Sequence, residues 1–257
     1  MDGGGTRTQA APRARRTRAA PRLARCGAAL ALAAWTIACQ GAGGYDPLRI
    51  PEQELRARVR RIALASLRAP NGLVDRAAVQ ERVHALIASD LTGSGFEVVG
   101  ADAMETAWRE AAEAVGGLYD PKTGEADGDK WDAVREATYR ELAAVHRVDA
   151  VLYTTLAVEI RRLDGREAPV CGRWDTLYWP ASWSIGESAT LVVNACLDLE
   201  IVDLDGRVLY SIRNGGDNLE TFLQQTRSRR PVEERFADPQ RLRRLVSGLL
   251  GRLTGAE

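Results

Sequence analysis

Around the dipeptide Asp205-Gly206 the chain alternates apolar and polar side chains on both sides, and this pattern commits it to an antiparallel sheet. Ala195, Leu197, Leu199 and Ile201 alternate with Cys196, Asp198 and Glu200, so one face is apolar at the period of two that a half-buried strand requires. Asp205-Gly206 supplies the turn, and Val208-Leu209-Tyr210-Ser211-Ile212 the returning strand. Residues 149–161 form a matching strand. Leu152, Thr154, Leu156, Val158 and Ile160 face one way there, and Val151, Tyr153, Ala157 and Glu159 the other.

Helical periodicity surrounds these strands. The run 61–67 reads as a buried strand stopped by Pro70 and the Asn71-Gly72 turn. From Asp75, the residues Val79, Val83, Leu86, Ile87 and Leu91 recur at helical spacing until Gly93 and Gly95, after which 96–99 resumes a strand. Asp102 with Glu105 three positions later has the form of a capping box opening another helix. Trp131, Val134, Thr138, Leu142 and Val145 line a further one. Asp238-Pro239 opens a last helix bearing Leu242, Leu245, Val246, Leu249, Leu250 and Leu253 on one stripe. The order β-α-β-α-α-β-β-β-α predicts a single α/β domain, with α+β as the alternative, in which helices cover a mixed sheet of about five strands.

The N-terminus carries an address. Lys plus Arg and Asp plus Glu both number 35, but seven Arg and one acid fall in residues 1–25, and residues 26–38 are uncharged. The remainder is therefore net acidic, which argues against a nucleic-acid partner. A basic segment followed by a twelve-residue apolar run, 27–38, has the form of a signal sequence. Twelve helical residues span about 18 Å, short of the ~30 Å hydrocarbon core, so cleavage fits better than spanning. Thr36-Ile37-Ala38-Cys39 resembles a bacterial lipobox, although Thr36 departs from the usual Leu, Val or Ile. The resemblance implies signal residues 1–38, a lipidated Cys39 and, because Gln40 is not Asp, the periplasmic face of the outer membrane. An ordinary secretory signal is the alternative. Residues 39–58, with Gly41, Gly43, Gly44, Pro47 and Pro51, read as a flexible tether, and 59–257 as the periplasmic domain.

Cys171 and Cys196, 25 positions apart, are left in that domain, and an even pair in an oxidising compartment predicts a disulfide. His84 and His146 are the only histidines and neither has finger spacing to a cysteine, so no metal is expected. Nor is a cofactor. The segment 166–188 holds Trp174, Tyr178, Trp179 and Trp183, four of the chain's 15 aromatics. Either the rings form a partner-binding surface or they fold over the sheet as a satellite core.

The lipobox, the strand Ile62-Ala63-Leu64, the segment Gly95-Phe96-Glu97-Val98-Val99, the segment Val148-Asp149-Ala150-Val151-Leu152 and the hairpin through Asp205-Gly206 together resemble the periplasmic lipoproteins related to the curli secretion channel. Lipoprotein activators of penicillin-binding proteins and the N-terminal domain of the Tol-system β-propeller protein share that general fold. The resemblance covers about residues 59–253. It implies a non-catalytic envelope scaffold or assembly factor that binds a protein or glycan partner and is held on the membrane by lipid, and it leaves a homo-oligomer open. An oligomeric component of a secretion apparatus is the second expectation and an envelope enzyme the third.

Catalytic patterns are weak. Gly93-Ser94-Gly95 lies between helix and strand, the reverse of a nucleophile elbow. Asp198 and Glu200 share a strand face as ordinary exposed acids do. The loop acids Glu125, Asp127 and Asp129 lack the calcium-loop spacing. Arg227, Arg229, Arg230, Arg241, Arg243 and Arg244 form a basic stretch best explained as solvated faces.

Overall fold

The computed structural model describes residues 46–163, 167–171, 173–176, 190–223 and 226–255. Its elements are α1 (Glu52–Arg58), β1 (Arg61–Leu64), α2 (Arg76–Gly93), β2 (Glu97–Val99), α3 (Ala101–Ala114), α4 (Gly128–His146), β3 (Ala150–Leu163), β4 (Glu167–Val170), β5 (Arg173–Thr176), β6 (Thr190–Asp203), β7 (Val208–Leu223), β8 (Thr226–Arg229) and α5 (Pro239–Thr254). The expected mixed α/β domain is what forms. Six strands lie in the order β2-β1-β3-β6-β7-β8, and β4 pairs separately with β5. The β2-β1-β3 part is parallel and the β3-β6-β7-β8 part antiparallel, so β3 joins two sheet types.

Alternation assigns the strand side chains to two layers. Ile62 and Leu64, Leu152 and Leu156, and Leu197 and Leu199 meet the apolar faces of α2 and α5. Ala63, Ala65 and Val151 meet Met104 of α3 and Tyr139 and Leu142 of α4. Each large aliphatic side chain buried in this way contributes about 2 kcal/mol from water exclusion. Asp75 and Asp238 open their helices as expected, accepting from Ala78 N and from Gln240 N and Arg241 N, and Asp127, read from the sequence only as a loop acid, caps α4 by accepting from Lys130 N. The Arg241 amide is the leading cause that holds the Asp238 carboxyl below its usual range. Tyr210, fully buried, donates its hydroxyl proton to the Leu249 carbonyl and ties β7 to α5.

Three expectations are corrected. Helix α3 starts from Gly100 without a side-chain cap, and Asp102 lies inside its first turn; Glu105 is engaged by Ser66 instead of closing a capping box. The hairpin strands are longer than expected, because β6 is flanked by β3 and β7 along its length and bulges absorb the mismatched residues. The tether does not extend to residue 58. Ser211 N donates to Pro47 O and Arg49 N to Leu209 O, both at 2.9 Å. Ile50 and Leu55 are buried. Proline removes a donor but keeps its carbonyl, so Pro47 joins the β7 edge and Pro51 O receives the first helical bond from Leu55 N.

That attachment is tested by Leu55→Ala. Leu55 is 0% exposed, so the variant should lose about 2–5 kcal/mol of stability by denaturant unfolding. A change below about 0.5 kcal/mol, typical of surface positions, would return 46–58 to the tether.

Candidate functional site

The antiparallel strands β3, β6 and β7 hold 14, 14 and 16 residues, against four and three in β1 and β2. They therefore run on past the parallel part of the sheet as an arm. On the face that begins with Leu152 and Leu156, the later positions Val158 and Ile160 are 44% and 65% exposed. Leu191 of β6 is 44% exposed. The ladder pairs Val158 with Ala195 and Ile160 with Val193, so Leu191 lies on the same face, diagonal to Ile160. Three aliphatic side chains thus continue the core stripe into solvent.

The opposite face of the arm carries the cysteines. Cys171 occupies the turn between β4 and β5 at φ +54°, and Cys196 lies on β6. Both are 0% exposed, and they stand at disulfide distance with their Cα atoms 5.5 Å apart. Glu159 Oε2 accepts from Cys171 N at 2.7 Å and lies 3.4 Å from Cys196 Sγ. Arg161 pairs with the other carboxylate oxygen, Oε1. Asn194, opposite Glu159 in the ladder, is 4% exposed, and its Nδ2 has no hydrogen-bond partner among the described residues. Alternation alone places Glu159 on this face but does not connect it to the cysteines, because only the register Ala157↔Cys196 brings them together.

A second polar cluster lies where β1 ends. There the connection into α2 and the connection into α3 leave on opposite faces of the sheet, the position at which α/β folds open a crevice. Ser66 donates to Glu105 Oε1 at 2.5 Å and Gln80 Nε2 to the same oxygen at 3.4 Å. Gln80 Oε1 accepts from Leu67 N at 2.8 Å. The crevice is thus bridged by the protein's own side chains. His84 stands beside them; burial lowers its pKa, opposed by the Glu105 charge and a hydrogen bond to the Ala65 carbonyl. Its Nε2 is buried with no partner among the described residues. Nearby, Arg68 stacks over the Tyr153 ring at 4.9 Å. Tyr153 shares a 2.7 Å hydrogen bond with Tyr139, and burial first, then that bond, raise its phenol.

Of the residues singled out earlier, Cys171 and Cys196 come together as expected. Trp174 lies on β5, its backbone opposite Pro169, while Cys39, Tyr178, Trp179 and Trp183 lie outside the described residues. The structure pairs two other aromatics, Trp108 of α3 and Trp131 of α4, with ring centroids 5.4 Å apart. Asp198 is taken up by Arg213 in two bonds of 2.5 and 2.6 Å. Glu220 receives both Arg227 and Arg229. Ser94 Oγ donates to Asp90 O at the end of α2, and Asp120 Oδ1 closes its own turn through Lys122 N and Thr123 N. Among the described residues no helix is long and apolar enough to cross a membrane.

The His84 environment sets a pH dependence. Its folded pKa lies below the ordinary 6.5, so below pH 6.5 the unfolded chain takes up a proton that the folded chain refuses. Stability is complete above that pH and falls as the pH drops toward the folded value. Chemical denaturation between about pH 7.5 and 5.5 should show His84→Gln losing less stability on acidification than the parent chain. Equal losses would mean that His84 titrates as it does in the unfolded chain.

No protein-family model matches the chain, and no curated protein matches it. Among solved structures it is similar to the PelC dodecamer from Paraburkholderia phytofirmans, at 13% identity over 77% of this chain and 89% of that one, with a TM-score of 0.33. It is also similar to a neuraminyllactose-binding hemagglutinin homolog from Helicobacter pylori, at 12% identity over 77% of this chain and 82% of that one, with a TM-score of 0.32.

Proposed function

We propose that this chain is a non-catalytic envelope lipoprotein, anchored through Cys39 at the periplasmic face of the outer membrane, that captures a protein partner on the outer end of its antiparallel arm. The observation that carries this reading is the exposure of Val158, Ile160 and Leu191 on one face of β3 and β6. Aliphatic side chains at the solvent end of a core stripe have no folding role in proportion to their area, and clustered exposure of this kind marks contact surfaces. Aliphatic groups lack the flat ring faces that stack on sugars, which favours a protein over a glycan. The anchor half of the proposal rests on the order of basic segment, short apolar run and Cys39. An acyl anchor would leave the arm free to engage its partner while holding the domain at the bilayer, since each buried CH₂ adds about 0.8 kcal/mol of membrane affinity.

Two measurements test the two halves. Lipid labelling of the full chain should be abolished by Cys39→Ala; an unlabelled parent chain found soluble in the periplasm would end the anchor claim. For the arm, a photo-cross-linking residue at position 160 should give a discrete protein adduct that the same group at exposed Gln53 does not. Adding Val158→Ser and Leu191→Ser should remove that adduct while changing stability by no more than about 0.5 kcal/mol, as at other surface sites. An adduct undiminished in that variant, or a large loss of stability, would show that these side chains serve the fold and not a partner.

A further inference from the structure

The cluster beneath the β4–β5 turn contains more than a covalent staple. Its potential ligand atoms, one each from Glu159, Cys171 and Cys196, all lie within 4.8 Å of one another. Two are sulfurs on fully buried residues, and the third is a carboxylate oxygen held by a backbone N–H. We propose that Cys171, Cys196 and Glu159 form a redox-gated site for a thiophilic divalent cation of the zinc type, closed while the cysteines are bonded and opened when a dithiol reductant separates them.

The geometry favours such a site over a pair of idle thiols. A tetrahedral zinc ion with bonds of about 2.3 Å to sulfur and about 2.0 Å to oxygen sets its sulfur and oxygen ligands about 3.5 Å apart and two sulfurs about 3.8 Å apart. Glu159 Oε2 already stands 3.4 Å from Cys196 Sγ, so this edge of the tetrahedron is present before any cation arrives. The two sulfurs must then part. Cys171 follows the short strand β4, whereas Cys196 is fixed in the centre of the sheet, so the Cys171 side is the one that yields. Arg161, paired with the same carboxylate, offsets the surplus negative charge of two thiolates and one carboxylate around a dication. Asn194, opposite Glu159, has an Nδ2 without a hydrogen-bond partner among the described residues, a donor for a water in the fourth position.

The chemistry balances in two steps. The reductant's two thiols become its disulfide, and their two electrons and two protons convert the Cys171–Cys196 bond into two thiols. The cation then displaces both thiol protons to the solvent and binds the resulting thiolates together with Glu159.

Cobalt(II) serves as the probe because its thiolate charge-transfer and tetrahedral d–d bands identify both ligands and geometry. The full chain, reduced by a phosphine under conditions that expose all four thiols and then returned to buffer, should take up one cobalt(II) with thiolate bands. The Cys171→Ser/Cys196→Ser variant, which retains Cys26 and Cys39, should not show these bands. Glu159→Gln should bind at least about tenfold more weakly, and zinc(II) should displace the cobalt and raise the melting temperature of the reduced chain. Reduced chain that binds no better than the double serine variant would overturn the proposal. So would Glu159→Gln binding as tightly as the parent, or oxidised chain giving the same bands. A reduced chain whose far-ultraviolet spectrum has lost its sheet, and does not regain it with metal, would also overturn it, because the site needs β3 and β6 to hold its ligands together.

Discussion

Strand β3 is paired on both edges, parallel to β1 and antiparallel to β6, and its opening residues Ala150, Val151 and Leu152 are 0% exposed on both faces. That double burial is the constraint on which the remaining architecture depends. A strand buried on both sides needs a helical layer above and below it, and the chain supplies α2 with α5 on one face and α3 with α4 on the other. The start of the strand is fixed by Asp149, whose Oδ2 accepts from Arg60 N at 2.8 Å and Arg61 N at 2.9 Å. One carboxylate thereby aligns β1 with β3 before the ladder begins.

Beyond Leu156 the same strand leaves its helical cover, and its two faces receive different treatment. One face gains the β4–β5 turn, the cysteine pair and Glu159. The other gains nothing among the described residues, and its aliphatic groups meet solvent. An antiparallel ribbon with one apolar side open would slip register readily. The bulges along β6 and β7 and the link from Cys196 to Cys171 oppose that slippage. The arm can therefore offer a fixed apolar surface, and it also places a carboxylate against two sulfurs.

The end of β1 shows the opposite resolution of a recurrent feature. Crevices at such points receive ligands in many α/β folds, yet here Ser66, Gln80 and Glu105 bond one another across it. His84 beside them has a buried nitrogen without a partner among the described residues. A buried unsatisfied nitrogen costs free energy, and its effect is a group that resists protonation and makes stability sensitive to acid.

The amino-acid sequence was enough for the elements whose signals are local. The Asp205-Gly206 turn, the helix starts at Asp75 and Asp238, the leucine stripe of α5 and the period-two runs of β3 and β6 depend on neighbours a few residues away, and they form where expected. It pointed to the Cys171–Cys196 pair through the even count of cysteines in the domain. It did not reveal that Glu105 caps no helix and instead reaches Ser66, 39 positions away. Nor did it reveal that Pro47 joins a strand edge, that Glu159 adjoins the cysteines, or that Val158 and Ile160 are exposed while Leu152 and Leu156 of the same stripe are buried. Periodicity states which face a side chain takes, but the cover on that face comes from helices distant in the chain. Only the packed tertiary structure decides how far along the strand that cover extends.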